Sequence, residues 1–176
     1  KQVDAGSTFI AAIKIEGTLW TWGSNYSGQL GNGSQSTPNV PTQVGTNTNW
    51  VRVSTGAYHS AAIKTDGTLW TWGNNDGGQL GDGTTVDKNT PIQVGTSTDW
   101  TQVSLGIDHT VALKSNGTLW AWGENNFRQL GRDEFWGTAT PTRINSDTNW
   151  AQVSAGVNYT LAIKSDGSAW AWGSND

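Results

Sequence analysis

The chain has 176 residues, 12 of them Trp and 23 Gly, with only 14% charged, which excludes a solvated disordered chain and a charged coiled coil. Its net charge of −4 supplies no basic cluster for a phosphate backbone, so nucleic acid is not an expected partner. Cys is absent, removing disulfides, thiolate metal sites and cysteine nucleophiles, and no apolar run is long enough to insert into a membrane.

The opening "KQVDAG" reads as the interior of a repeat, not as a signal peptide. Trp20, Trp70, Trp120 and Trp170 share one repeat position, Trp22, Trp72, Trp122 and Trp172 share another, and Trp50, Trp100 and Trp150 mark the seams. This divides the chain into units over 1–50, 51–100 and 101–150 and a half unit over 151–176, together one partial domain. Within a unit, "WVRVSTG" (Trp50 to Gly56) reads as a short strand. "HSAAIKTDGTLWTWG" (His59 to Gly73) then reads as a hairpin turning at Asp66-Gly67, with Glu16-Gly17, Asn116-Gly117 and Asp166-Gly167 at the same place elsewhere.

A two-residue type I′ turn there sets Thr65 opposite Thr68, Ile63 opposite Trp70 and Ala61 opposite Trp72, and likewise Ala11 opposite Trp22. Downstream, "PTQV", "PIQV" and "PTRI" read as a further strand opening at Pro41, Pro91 or Pro141, where proline suits a sheet edge. About four short antiparallel strands per unit, in units of ~40–50 residues, is the pattern of β-propeller blades. The fold class is therefore all-β, with blades that bury both faces only by stacking.

The recurring residues read as structure. A buried indole covering ~150–250 Å² is worth roughly 4–6 kcal/mol at ~25 cal/mol/Å² as an upper estimate, so the paired Trp form the main stabilising layer. Gly23, Gly73, Gly123 and Gly173, and Gly31, Gly81 and Gly131 of the "QLG" turns, read as positions of positive φ or close backbone approach. His59 and His109 share a position with Phe9 and Tyr159, which points to a partly buried ring in a blade loop and not to a catalytic base. "DGTTVD" (Asp82 to Asp87) is only faintly calcium-like, so no metal or other cofactor is expected. Asn25, Asn32, Asn116 and Asn158 have the spacing of glycan acceptors.

One stretch departs from the repeat. "NNFRQLGRDEFWG" (Asn125 to Gly137) places Phe127, Phe135 and Trp136, which the blade pattern does not require, among Arg128, Arg132, Asp133 and Glu134. Aromatic anchors with Arg inside a charged rim are the composition of a protein-binding hot spot. The alternative role for these rings is to cover a neighbouring blade.

At "WGSNYSGQLGNG", "WGNNDGGQLGDG" and "WGENNFRQLGRD", with "VSTGAYHSAAIKTDGTLW" and "VSLGIDHTVALKSNGTLW", the whole chain resembles the repeat family of the regulator of chromosome condensation. The resemblance implies a seven-bladed propeller, of which this chain is about three and a half repeats. In that family, the guanine-nucleotide exchange factor uses an inserted wedge and basic surfaces; the constant unit length and negative charge here argue against exchange. The Trp-, Asn- and Thr-rich seams "TNTNW" and "TSTDW" are similar to repeats of bacterial secreted and surface proteins, implying an extracellular or cell-surface location. A two-fold pair would combine eight inner hairpins with six outer strands, so ring closure by the remainder of a longer chain is favoured over closure by a second copy. The expected function is non-catalytic protein binding and scaffolding, with carbohydrate binding as the alternative.

Overall fold

The computed structural model describes residues 1–175, in which four antiparallel sheets follow one another along the chain. The first holds β1 (Gln2–Ala5), β2 (Phe9–Ile13), β3 (Leu19–Gly23) and β4 (Thr42–Gln43), and the second β5 (Trp50–Thr55), β6 (His59–Lys64), β7 (Leu69–Gly73) and β8 (Lys88–Gln93). The third holds β9 (Trp100–Leu105), β10 (His109–Lys114), β11 (Leu119–Gly123) and β12 (Thr138–Arg143). The fourth contains β13 (Trp150–Ala155), β14 (Tyr159–Lys164) and β15 (Ala169–Gly173). The first strands of successive sheets, β1, β5, β9 and β13, pack side by side, so they lie innermost about the axis of a propeller of about three and a half blades.

The hairpins form where the sequence places them, but in a different register. Gly67 N–H donates to the Lys64 carbonyl and Lys64 N–H to the Thr68 carbonyl, each at 3.0 Å, so the loop has three residues, Thr65 to Gly67. Gly67 has a φ of 75° while Asp66 keeps a negative one, which rules out the type I′ turn and fits a type I turn closed by a left-handed glycine. Asp66 is held in place because its Oδ1 accepts from Thr68 N–H at 3.0 Å and from Thr68 Oγ1 at 2.6 Å. The extra loop residue shifts the ladder by one. Ile63 pairs with Leu69, Ala62 with Trp70, Ala61 with Thr71 and Ser60 with Trp72.

The expected pairs of Ile63 with Trp70 and Ala61 with Trp72 are thereby corrected, as is Ala11 with Trp22, since Ala11 pairs with Thr21. A one-residue slip exchanges the faces. Ala12, Ala62, Ala112 and Ala162 stand opposite Trp20, Trp70, Trp120 and Trp170, so each outer indole lies over a methyl group. Ala61, Ile63 and Leu69 face the other way and meet Trp100, Val103, Ala112 and Trp122 of the next sheet. Equivalent residues form the first joint, from Ala11, Ile13 and Leu19 to Trp50 and Trp72, and the third, from Val111, Leu113 and Leu119 to Trp150 and Trp172. Aliphatic and indole groups do meet, but between blades.

The proline-bearing strands are outermost, as their missing N–H suggests. In the second and third sheets the strand starts earlier than its proline, and Pro91 and Pro141 sit where the ladder with β7 or β11 skips a residue.

Candidate functional site

Each blade joint is assembled from the loop that leaves the third strand. In the second blade, Asn75 Oδ1 accepts from Leu80 N–H at 2.9 Å, its Nδ2 donates to the Thr84 carbonyl at 3.0 Å, and Gln79 Oε1 accepts from Gly77 N–H at 2.9 Å. These bonds turn the Gln79 carbonyl toward the third blade, where it accepts from Trp122 Nε1 at 2.9 Å and Thr110 Oγ1 at 2.8 Å. Gln29 and Gln129 do the same with Trp72 and Ser60 and with Trp172 and Thr160. Sequence reading passed over Asn25, Asn75 and Asn125 as joint-forming residues, although their fixed spacing from "QLG" marks them. Their burial also removes Asn25 as a glycan acceptor: it is 0% exposed and its amide donates to the Ser34 and Ser36 carbonyls.

The third loop keeps this inner scaffold and differs outside it. Leu130 N–H donates to Asn125 Oδ1 at 2.9 Å, and Phe127 N–H to Gln129 Oε1 at 2.9 Å. Phe127, Phe135 and Trp136 are 46%, 52% and 80% exposed, so their rings extend into solvent among the described residues. Arg128, at a φ of 60°, is the one non-glycine residue with positive φ among the described residues, in a place where the other loops have Gly28 and Gly78. Its guanidinium lies 4.2 Å from the Phe135 ring centre, and its Nε donates to the Asp133 carbonyl at 3.3 Å. The structure thus joins Arg128, Asp133 and Phe135. Arg132, Asp133 and Glu134 make no ion pair among the described residues, and Asp133 and Glu134 are exposed. Beside them lies a groove of about 310 Å³ bounded by Arg128, Arg132, Ile144, Trp150, Trp170 and Ala171. Tyr26 on the first loop, 81% exposed, is a further outward ring that the repeat pattern concealed.

The histidines are enclosed more fully than a loop position suggests. His59 and His109 begin β6 and β10, are 0% exposed, and place Nε2 at 3.0 Å from Thr110 Oγ1 and 3.2 Å from Thr160 Oγ1 of the next blade. His59 Nδ1 lies against the Ile107 backbone without completing a hydrogen bond of good geometry. Burial, and next the neighbouring His109, push His59 down to about 3; burial pushes His109 down to about 4. Both are neutral ring spacers at neutral pH.

The "DGTTVD" acids are occupied by the protein's own donors. Asp82 Oδ1 accepts from Thr84 N–H at 2.9 Å while Oδ2 pairs with Lys88 at 3.0 Å, and Asp87 Oδ1 accepts from Asn75 N–H at 2.7 Å. On the loops between the second and third blades, Asp76, Asp108 and Glu124 lie around one hollow. Burial, then the charges of Glu124 and Asp76, hold the Asp108 carboxyl above its ordinary range.

The repeated blade joints coincide with known repeats: the model of the regulator of chromosome condensation (RCC1) repeat matches residues 16–63, 66–113 and 116–163. The chain belongs to the RCC1 repeat family. A second RCC1 repeat model matches residues 1–29, 50–79 and 100–129. No curated protein matches the sequence. Among solved structures, human WBSCR16 is similar with a TM-score of 0.89 and 24% identity over 99% of this chain and 48% of its own. Yeast RCC1 (Prp20) in complex with Kap60 follows at a TM-score of 0.85 and 21% identity, over 98% of this chain and 43% of its own. Saccharomyces cerevisiae Prp20p in a second structure gives 0.84 and 24%, over 98% and 44%. This RCC1-repeat chain therefore spans about half the length of these three solved structures, and at such identities the likeness establishes the fold.

Proposed function

We propose that this RCC1-repeat chain is a non-catalytic protein-binding module whose contact surface is the loop from Phe127 to Trp136. The observation that carries the reading is the exposure of Phe127, Phe135 and Trp136 at 46%, 52% and 80%, in a chain whose inner repeated indoles Trp72 and Trp122 are 0% exposed. Blade packing accounts for the repeated rings and leaves these three without a role in it. Arg128, Arg132, Asp133 and Glu134 supply a charged rim, and the stack of Arg128 on Phe135 pre-orders part of the surface, which lowers the entropic cost of binding. The structural relatives point to the same class: yeast RCC1 is seen bound to Kap60, and Prp20p has binding properties toward Gsp1p and histones. A glycan platform repeated from blade to blade would need open indole faces at the repeated inner positions, and Trp50, Trp72 and Trp122 are all below 2% exposed. On the likeness of its Trp-, Asn- and Thr-rich seams, we place the module outside the cell or on its surface.

A photo-crosslinking residue introduced at position 136 tests the surface. A discrete protein adduct from position 136, absent from the same probe at position 95, is the expected result. With the captured protein purified, alanine at Phe135 and Trp136 should weaken binding by about 2 kcal/mol or more, the scale of a hot spot. Equal labelling from both positions, or unchanged affinity, would remove the assignment.

A further inference from the structure

In the second, third and fourth sheets the second strand ends on a lysine held against two indoles. Lys64 Nζ lies 3.9 Å from the Trp70 ring centre and 4.8 Å from that of Trp50. Lys114 stands 4.9 and 4.7 Å from Trp120 and Trp100, and Lys164 stands 4.4 and 4.9 Å from Trp170 and Trp150. The backbone around the three cages is the same. Thr65, Ser115 and Ser165 N–H donate to the carbonyls of Asn49, Asp99 and Asn149 at 2.9, 2.8 and 2.8 Å, and Trp50, Trp100 and Trp150 N–H donate to those of Gly17, Gly67 and Gly117, each at 3.1 Å.

The cages differ in what neutralises the ammonium. Lys114 pairs with Asp99 at 3.0 Å and donates to Ser97 Oγ at 2.8 Å, and Lys164 pairs with Asp147 at 2.8 Å. At the positions matching Asp147 and Asp99, the segment before the second blade has Asn47 and Asn49. Lys64 Nζ therefore has no ion pair or hydrogen bond among the described residues, although the side chain is buried at 8% exposure. Asn49 does not stand in for the acid, since its Oδ1 is enclosed without a hydrogen bond. Burial pushes the Lys64 amine below the ordinary lysine range, which Asp66 in the adjoining turn partly offsets. Asp66 is engaged elsewhere, its Oδ1 accepting from Thr68. Such a turn aspartate does not bar a second carboxylate, because Asp166 stands in the same place near Lys164, which still pairs with Asp147. The indole faces attract the ammonium but carry no full negative charge, so it lacks the partner that buried charges ordinarily have.

We infer that Lys64, caged by Trp50 and Trp70, is a seat for one carboxylate supplied from outside the chain, lodged where Asp99 lies against Lys114. The third and fourth blades show that the seat opens to solvent, since Asp99 and Asp147 each keep 37% of their side chain exposed while paired. The ligand is a carboxylate on a short stem, either an acidic side chain of another protein or a small free carboxylate. A charge-assisted hydrogen bond from a caged ammonium is stronger than a neutral one and selects for the ionised group. The seat lies at the turn end of its blade. Phe127–Trp136 follows the opposite end of the next one, where His109 pairs with Gly123, so this site and the proposed partner surface can fail separately.

The test follows the lysine side-chain Cε–H signals of the 176-residue chain by NMR, where the ring currents of the indoles set the caged lysines apart. The probes are sodium acetate and the peptide acetyl-Gly-Asp-Gly-amide, with sodium chloride and acetyl-Gly-Asn-Gly-amide as controls. Both carboxylates are expected to shift Lys64 saturably and to raise its pKa, while Lys114 stays unmoved. Asn49→Asp, which rebuilds the arrangement of the third blade, should weaken both by about tenfold. Asp99→Asn should do the reverse and make Lys114 respond as Lys64 does. A tighter fit for the Asp peptide than for acetate assigns the seat to a protein side chain, and an equal fit assigns it to a free carboxylate. The inference would be overturned by any of four results: no saturable shift at Lys64, an equal shift from either control, a Lys64 response that Asn49→Asp leaves unchanged, or a Lys114 that responds alike with and without Asp99.

Discussion

Trp72 Nε1 donates to the Gln29 carbonyl at 2.9 Å, across the joint between the first and second blades. Gly31, two residues beyond Gln29, completes the contact, since a Cβ there would lie 2.6 Å from the same indole nitrogen. The two halves of the repeat signature, "QLG" and "WxWG", thus belong to one interface, with each unit supplying half of two successive joints. This explains why both halves recur together: altering one strands the other.

The joint can be probed through glycine. Gly81 has a φ of 75° and a Cβ there would stand 2.6 Å from Trp122 Nε1, whereas Gly95 has a φ of 59° with nothing within 4 Å. Alanine at either site bears a left-handed cost of about 1–2 kcal/mol. Only at Gly81 is overpacking of about 1–3 kcal/mol added. Urea unfolding should show Gly81→Ala as the more destabilised variant by that difference. Equal losses would mean that the indole moves aside freely.

The enclosed histidines give the fold a pH dependence. Both are held neutral by burial, His59 at about 3 and His109 at about 4, while in the unfolded chain they titrate near ~6.5. The unfolded state therefore binds more protons below pH ~6.5, so stability falls as pH drops from there toward the folded values. At pH ~5 the loss is about 2 kcal/mol for each ring. Phe9 occupies the matching position of the first blade, which makes His59→Phe and His109→Phe the natural controls. The double variant should show a flatter stability profile between pH ~5 and ~6.5 in denaturant titrations. An unchanged slope would place the acid sensitivity in the carboxylates.

The Trp spacing, the turn positions and the edge prolines were enough to read the blades from the letters, because each reports a local constraint. The hairpin register was not legible. Asp66-Gly67 is compatible with a two- or a three-residue loop, and the choice depends on the Asp66 carboxylate capturing Thr68 N–H and Oγ1, which residue type alone does not reveal. The burial of Asn25 and the stapling role of Gln79 were hidden for a related reason: polar residues in a loop read as solvated until the next blade is seen to cover them. The exposed rings at Phe127, Phe135 and Trp136 were legible as departures from a repeat. What their surface faces is not written in this chain's period.

The turn clamp itself is testable. Trp70 Nε1 donates to Thr68 Oγ1 at 2.9 Å and Thr68 Oγ1 donates to Asp66 Oδ1 at 2.6 Å, forming a relay from indole to carboxylate. Thr68→Val keeps the shape but leaves the indole N–H without its acceptor, at a cost of about 1–3 kcal/mol where the group is desolvated. Thr68→Ser should retain most of the stability in thermal melts, since Ser168 serves Trp170 in the same way at 3.2 Å. A Val variant as stable as the Ser variant would show that water replaces the hydroxyl.

Stability and recognition should separate at the third loop. Trp136 is 80% exposed and makes no ring stack or side-chain hydrogen bond among the described residues, so Trp136→Ala should change unfolding free energy by less than ~0.5 kcal/mol. Phe135 differs, because Arg128 stacks on it at 4.2 Å. An exposed cation–π contact is worth about 0.5–1 kcal/mol, so Phe135→Ala should show a small loss that Arg128→Ala shares and the double variant does not repeat. Denaturant unfolding of the two single variants and the double variant measures that coupling. A coupling near zero would mean that the guanidinium is free to leave the ring, and the pre-ordering of the binding surface would lose its physical basis.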